Sequence, residues 1–161
     1  EPLLLDAVNF AKSQRSYDFA MIKETIHHIS ESDFDALFSG LFFQINSRGS
    51  CIIITRKQEP DYPLFPRAAE IWKENQTSTD SICSALDKAG FTTSIEINSY
   101  PVELKKSTWL EMVSNKFWST FSYCTEEELK TGLEYLADKY RSEEVLSFSD
   151  DLVFIIAKKT I

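Results

Sequence analysis

Two apolar segments, separated by a helical pattern, constrain the fold of this chain more than any other feature. Residues 17–23 read YDFAMIK and residues 50–55 read SCIIIT. Nearly continuous apolar runs of this length are typical of strands that are buried on both faces, as in parallel sheets. Between them, Phe34, Leu37 and Leu41 recur at helical spacing. Strands that alternate with helices predict a layered α/β domain.

The remaining sequence continues this alternation. Apolar patterning predicts two further strands, and turn and capping residues mark the boundaries between elements. The predicted strands are residues 17–23, 50–55, 91–97 and 151–157; the predicted helices are residues 3–13, 33–42, 66–72, 78–89, 103–115 and 125–140; and residues 46–49 are predicted to form a turn.

The glycines are too far apart to form the loop that such sheets use to bind a cofactor. The chain has four glycines, Gly40, Gly49, Gly90 and Gly132. A glycine-rich strand-to-helix turn needs two or three of them within six residues. The sequence therefore predicts the second half of a cofactor-binding domain, with the first half outside these 161 residues.

Composition limits the class of protein and its partners. The 161 residues are 43% hydrophobic, which is enough for a core and predicts one domain over residues 1–161. The net charge of −8 argues against nucleic acid or an anionic membrane as the main partner. Three cysteines without paired spacing favour reduced thiols and a cytoplasmic location.

Four segments together resemble the C-terminal half of class I S-adenosylmethionine-dependent methyltransferases. Residues 17–29, YDFAMIKETIHHI, are similar to the family's fourth strand and the loop that follows it. Residues 41–57, LFFQINSRGSCIIITRK, resemble the helix end, turn and fifth strand. Residues 86–97, LDKAGFTTSIEI, and residues 151–159, DLVFIIAKK, resemble the sixth and seventh strands. The resemblance covers nearly the whole chain.

The resemblance implies a partial Rossmann-like three-layer sandwich of about four strands, mostly parallel, with an antiparallel last strand. It implies part of a methyltransferase that acts on a small molecule, with S-adenosylmethionine as the cofactor of the complete domain. The family's glycine loop and ribose-binding acid would precede Glu1, so this chain alone is expected to bind the cofactor weakly or not at all. The alternative is a non-catalytic, methyltransferase-like interaction or dimerisation domain.

Polar residues follow the first two predicted strands, where open α/β sheets bind ligands. His28 is a candidate catalytic base and His27 a candidate substrate ligand; both also suit ordinary packing or capping roles. Glu24 suits a substrate contact or a strand-end salt bridge, and Arg56 with Lys57 suits an anion site or a solvated pair. No metal site is predicted, because adjacent histidines in an extended segment point in opposite directions.

An aromatic segment precedes the last predicted helix. Residues 109–123 include Trp109 and Trp118, and Tyr62 lies in the proline-rich loop before them. Aromatic rings can form walls for an apolar or cationic ligand, which makes these three residues candidate substrate contacts. Core packing is the other interpretation.

The family's strand order would leave the strand at residues 17–23 without one neighbour. Its apolar edge favours pairing with another chain. The sequence therefore predicts contact with a missing N-terminal segment, or a homo-oligomer formed with a second copy of the chain. Alternatively, the helix predicted over residues 3–13 covers the edge of this strand.

Overall fold

A mixed four-stranded sheet organises the chain. The computed structural model describes residues 2–160. Its strands are β1 (Tyr17–Lys23), β2 (Ile45–Arg56), β3 (Thr92–Lys105) and β4 (Val145–Lys158), in the spatial order β1-β2-β4-β3. β1 and β2 are parallel, whereas β4 is antiparallel to β2. The predicted fold class, a partial Rossmann-like sheet with flanking helices and an antiparallel last strand, is confirmed.

Seven α-helices connect and flank the strands in the described part of the chain. They are α1 (Ala7–Ala11), α2 (Phe34–Gln44), α3 (Pro66–Asn75), α4 (Thr79–Ala89), α5 (Lys106–Ser114), α6 (Ser119–Ser122) and α7 (Glu126–Lys139). The Ser78 hydroxyl caps α4, and Thr125 and Glu128 form a capping box at the start of α7. These helix starts agree with the sequence. None of the helices within residues 2–160 has the length and apolar character needed to cross a bilayer.

The structure corrects the bounds of several predicted elements. β3 continues through Pro101 to Lys105, so the helix predicted from residue 103 begins at Lys106. Proline is tolerated there because β3 is an edge strand of the sheet. β4 begins at Val145 rather than at residue 151. The helix predicted over residues 3–13 is shorter in the structure, where α1 covers only Ala7–Ala11.

The predicted turn at residues 46–49 is wrong, because these residues belong to β2. They form an irregularity within the strand: Tyr17 pairs with Ile45, but Phe19 pairs with Ser50, so β2 has extra residues between the two pairs. A Cβ on Gly49 would lie 2.5 Å from the carbonyl oxygen of Asp18. The close approach of the two backbones at this bulge therefore requires glycine.

The described chain divides into two units. The first comprises residues 2–57, 77–98 and 152–160. In it, α1 packs on α2 and α2 packs on α4. The first core joins these helices to the strand positions that share one face of the sheet, which include Ala20, Ile22, Cys51, Ile53, Ile155 and Ala157. We call this the helix-covered face.

Alternate strand positions form the other face of the sheet, which we call the second face. The register aligns Met21 with Ile52 and Ile156, and Lys23 with Ile54 and Phe154. Phe19 belongs to the same face, two residues before Met21. Neither of the two hydrophobic cores contains these residues. The helices that pack against the first core therefore cover one side of the sheet.

The second unit comprises residues 58–76 and 99–151. In it, α3 packs against α6 and α7, and α5 packs against α7. Its core is rich in aromatic residues, and the most deeply buried side chains include Phe65, Trp109, Phe121, Leu136 and Leu146.

Candidate functional site

Polar residues lie where β1 and β2 end side by side. The amide of Glu24, the first residue after β1, donates a hydrogen bond of 2.9 Å to the carbonyl of Ile54. Thr55 and Arg56 then complete β2. Glu24 has a φ of 54°, in the left-handed region, which costs free energy for a residue with a Cβ. Such conformations cluster at functional sites, and this one lies at the carboxyl ends of two parallel strands, the rim where open α/β sheets bind ligands.

Only one of the two oxygens of the Glu24 carboxylate has a hydrogen-bond partner within residues 2–160. Its Oε2 accepts a 2.8 Å hydrogen bond from Nε of Arg56, so the strand-end salt bridge allowed by the sequence is present. Its Oε1 is shielded from solvent and has no hydrogen-bond partner within residues 2–160. The hydroxyl of Thr55, a residue that is 1% exposed, is likewise without a partner there. Buried polar atoms usually have a partner, so these two oxygens are exceptions.

The two histidines lie in a 3-10 turn, Ile26–His28, just beyond Glu24. Ile26 is fully buried and anchors the turn. His27 is partly buried and His28 is exposed, with their ring centroids 4.2 Å apart. Burial lowers the pKa of His27; proximity to His28 lowers it further, whereas Glu24 acts in the opposite direction. His27 is therefore predominantly neutral at pH 7.

The three predicted aromatic contacts lie together in the second unit. The ring centroid of Trp118 is 4.7 Å from that of Tyr62 and 5.7 Å from that of Trp109. Trp109 is 2% exposed, and its indole N–H donates to the Pro63 carbonyl over 2.9 Å. Tyr62 is also buried, and its hydroxyl donates to Asp150. Trp118 is only partly buried, so it is the best placed of the three to touch a ligand.

The predicted site residues thus fall into two groups, with His27 and His28 in the first unit and Tyr62, Trp109 and Trp118 in the second. Their roles in catalysis and substrate binding remain predictions. Sequence reasoning did not identify Thr55, because a threonine at a strand end carries no distinctive signal. No group of three or more histidine, cysteine or acidic side chains is arranged to hold a metal ion in the part of the chain described.

Comparison with known proteins finds similarity in structure. No protein-family model matches the sequence, and no curated protein matches it. A SAM-dependent methyltransferase from Archaeoglobus fulgidus is similar in structure, with a TM-score of 0.53 and 17% identity. A candidate methyltransferase from Bacillus halodurans has a TM-score of 0.54 and 13% identity. Phosphoethanolamine N-methyltransferase 2 from Haemonchus contortus, solved with S-adenosyl-L-methionine, has a TM-score of 0.49 and 15% identity.

These similarities span almost all of this chain but only part of the other proteins. The alignments cover 98%, 97% and 97% of this chain, respectively, but only 66%, 70% and 36% of the three structures. At these identities the likeness concerns the fold. The fold is similar to part of the Rossmann-like methyltransferase fold, in agreement with the sequence.

Proposed function

We propose that this chain is part of an S-adenosylmethionine-dependent methyltransferase that acts on a small molecule. The observation that carries the proposal is the rim at the end of β1 and β2, where Glu24, Thr55 and His27 lie on a methyltransferase-like sheet. Ligands of open α/β sheets bind at the carboxyl ends of the strands, which is where this rim lies. The exposed His28 follows in the same turn.

The polar groups of the rim suit an acceptor that donates hydrogen bonds, such as an amine or an alcohol. Oε1 of Glu24 and the Thr55 hydroxyl have lone pairs without a partner in residues 2–160, and a carboxylate accepts strongly from a cationic donor. His28 is the proposed base for the acceptor's proton. In the second unit, considered by itself, the partly buried Trp118 is a proposed aromatic contact of a substrate, with Tyr62 and Trp109 packed beside it.

The glycines of this chain do not fit the cofactor loop. Gly40 and Gly132 lie inside α2 and α7, Gly49 lies inside β2, and Gly90 ends α4. None of them lies in a turn that leads from a strand into a helix, where backbone amides would face a cofactor. We therefore propose that cofactor contacts come largely from elsewhere and that this chain alone binds S-adenosylmethionine weakly or not at all.

A second candidate function is that of a non-catalytic interaction or dimerisation domain. The specific observation in its favour is the exposure of apolar side chains on β1, where Phe19 is 48% exposed and Met21 is 56% exposed. In this alternative the partner is a further polypeptide segment or a second copy of the chain, and the rim has no catalytic role.

Substitution of Glu24 tests the proposed acceptor site in the protein that contains this chain. Transfer of labelled methyl groups from S-adenosylmethionine to a panel of small amines and alcohols is measured for Glu24→Gln and for the control Glu31→Gln, an exposed carboxylate. Loss of a charged hydrogen bond predicts a fall in kcat/KM of about 10- to 100-fold for Glu24→Gln. We expect the control to retain full activity.

His28→Ala tests the proposed base in the same assay. General-base catalysis predicts a fall in kcat of about 100-fold or more, together with a changed pH profile. Absence of methyl transfer to any acceptor would favour the interaction domain. Full activity of both Glu24→Gln and His28→Ala would overturn the site assignment.

Calorimetry tests the cofactor proposal directly. S-adenosylmethionine titrated into this chain alone is expected to give no heat of binding at micromolar concentrations. Micromolar affinity would show that the described residues suffice to hold the cofactor.

A further inference from the structure

The second unit contains a groove that runs between the start of α3 and one side of α7. Its volume is about 440 Å³, within the range of small-molecule sites in proteins. Phe65 and Pro66 line the groove at the start of α3, and Thr131, Gly132 and Tyr135 line it along α7. A lining that is mostly apolar and aromatic suits the hydrocarbon part of a ligand.

Helix geometry explains the α7 side of this groove. Glu127, Thr131 and Tyr135 recur every four residues and therefore share one side of the helix. Gly132 has no side chain, and a Cβ there would lie 2.5 Å from Cγ of Phe65. The Phe65 ring thus packs directly on the backbone of α7, and it is almost fully buried although it lines the groove. It therefore forms the floor of the groove.

Most charged groups of the groove already have partners. Nε of Arg67 lies 3.3 Å from Oε1 of Glu128, and Nη1 of Arg67 lies 3.3 Å from Oε2 of Glu70. Oε2 of Glu128 accepts a hydrogen bond of 2.8 Å from the Thr125 amide. Glu127 also lines the groove, and its exposed carboxylate makes no ion pair or hydrogen bond within residues 2–160. The charge of Glu127 is therefore not balanced by that part of the chain.

The two ends of the groove differ in chemistry. Glu127 and Tyr135 are eight residues apart on α7, which corresponds to about 12 Å along the helix. The ammonium of Lys139 lies 5.8 Å from the ring centroid of Tyr135, so a second cation is disfavoured at that end. An anion is disfavoured at the other end, because Arg67 already lies between two carboxylates. Charge complementarity therefore favours a ligand with a cation near Glu127 and an apolar body toward Tyr135.

We propose that this groove is a binding site for a small organic cation. Its ammonium group lies beside Glu127, and its apolar chain or ring extends over the Phe65 floor toward Tyr135. The apolar contacts supply most of the affinity, because they remove hydrocarbon surface from water. The Glu127 carboxylate supplies selectivity for the positive charge. The site uses the second unit alone and does not depend on the proposed methyl transfer.

Three probes of matched length test the site on the chain as it stands. Phenylbutylammonium carries a cation on an apolar body, phenylbutanol is its neutral counterpart and phenylbutyrate its anionic counterpart. Each probe is titrated while amide chemical shifts are followed by NMR. We expect the cation to give saturable shifts at the start of α3 and along α7, with a Kd of about 1–5 mM, typical of so small a ligand. The alcohol should bind about three- to fivefold more weakly, which is the contribution of an exposed ion pair, and the anion more weakly still.

Matched variants at exposed positions of α7 locate the effect, and all of them should fold. Glu127→Gln should remove the preference for the cation over the alcohol, whereas Glu134→Gln, outside the lining, should keep it. Thr131→Trp should fill the groove and weaken binding of the cation at least about tenfold, as expected for loss of the apolar contacts. Lys130→Trp, at a neighbouring position outside the lining, should leave binding unchanged.

Several outcomes would overturn the proposal. It fails if phenylbutylammonium gives no saturable shifts, or if the alcohol or the anion binds as tightly as the cation. It also fails if Glu127→Gln keeps the preference for the cation, because another group would then recognise the charge. Unchanged binding to Thr131→Trp would refute it as well, because the probe would then occupy a different place on the chain.

Discussion

Gly132 is the position where packing and helix propensity conflict most clearly. It lies in the interior of α7, and a Cβ there would be 2.5 Å from Cγ and 2.6 Å from Cδ1 and Cδ2 of Phe65. The ring of Phe65 is 2% exposed and belongs to the core of the second unit, so it has little room to move. We therefore expect Gly132→Ala to force a shift of the ring or of α7.

The two opposing effects can be compared in size. Replacing an interior helical glycine by alanine stabilises a helix by about 0.8–1.0 kcal/mol. Inserting a methyl group into a packed core costs about 1–3 kcal/mol. The clash involves three ring carbons at once, so we place its cost near the upper end and expect a net destabilisation of about 1–2 kcal/mol. For a chain of this length, that lowers Tm by about 2–8 °C.

A double-mutant cycle separates the clash from the propensity. In a Phe65→Leu background the ring is absent, so Gly132→Ala should become stabilising by up to about 1 kcal/mol. Urea unfolding followed by circular dichroism measures all four proteins. The reasoning is refuted if Gly132→Ala stabilises the two backgrounds equally, because the alanine would then meet no obstacle from Phe65.

Two titratable groups lead to further predictions. Burial raises the pKa of the Cys51 thiol to about 12, whereas Cys83 is only partly buried. A thiol reagent at pH 8 should therefore label Cys83 at least about tenfold faster than Cys51. Equal labelling rates would contradict this prediction. Burial lowers the pKa of His27 in the folded chain. The neutral His27 side chain therefore contributes stability at pH values above its unfolded pKa of about 6.5, and this stability is lost as the pH falls through the folded pKa. Urea midpoints between pH 7 and pH 5 should therefore fall less for His27→Gln than for the unaltered chain; identical slopes would disprove the assignment.

Local sequence determined the elements whose signals lie within a few residues. The apolar run in residues 17–23 predicts the observed bounds of β1, Tyr17–Lys23, because its signal lies within the strand itself. Thr125 and Glu128 predict the start of α7, because their side chains bond to backbone only three residues away. The order of these elements also predicted the α/β fold class.

Tertiary structure decided what depends on distant neighbours. Pro101 continues a strand only because β3 lies at an edge of the sheet, a position that no local pattern reveals. The unpartnered Oε1 of Glu24 arises because Arg56, 32 residues away, satisfies only the other oxygen. The exposure of Phe19 and Met21 likewise follows from tertiary structure, since β1 is an edge strand and both residues lie on the face opposite the first core. Contacts between residues far apart in sequence set all three features, so periodicity and capping alone could not predict them.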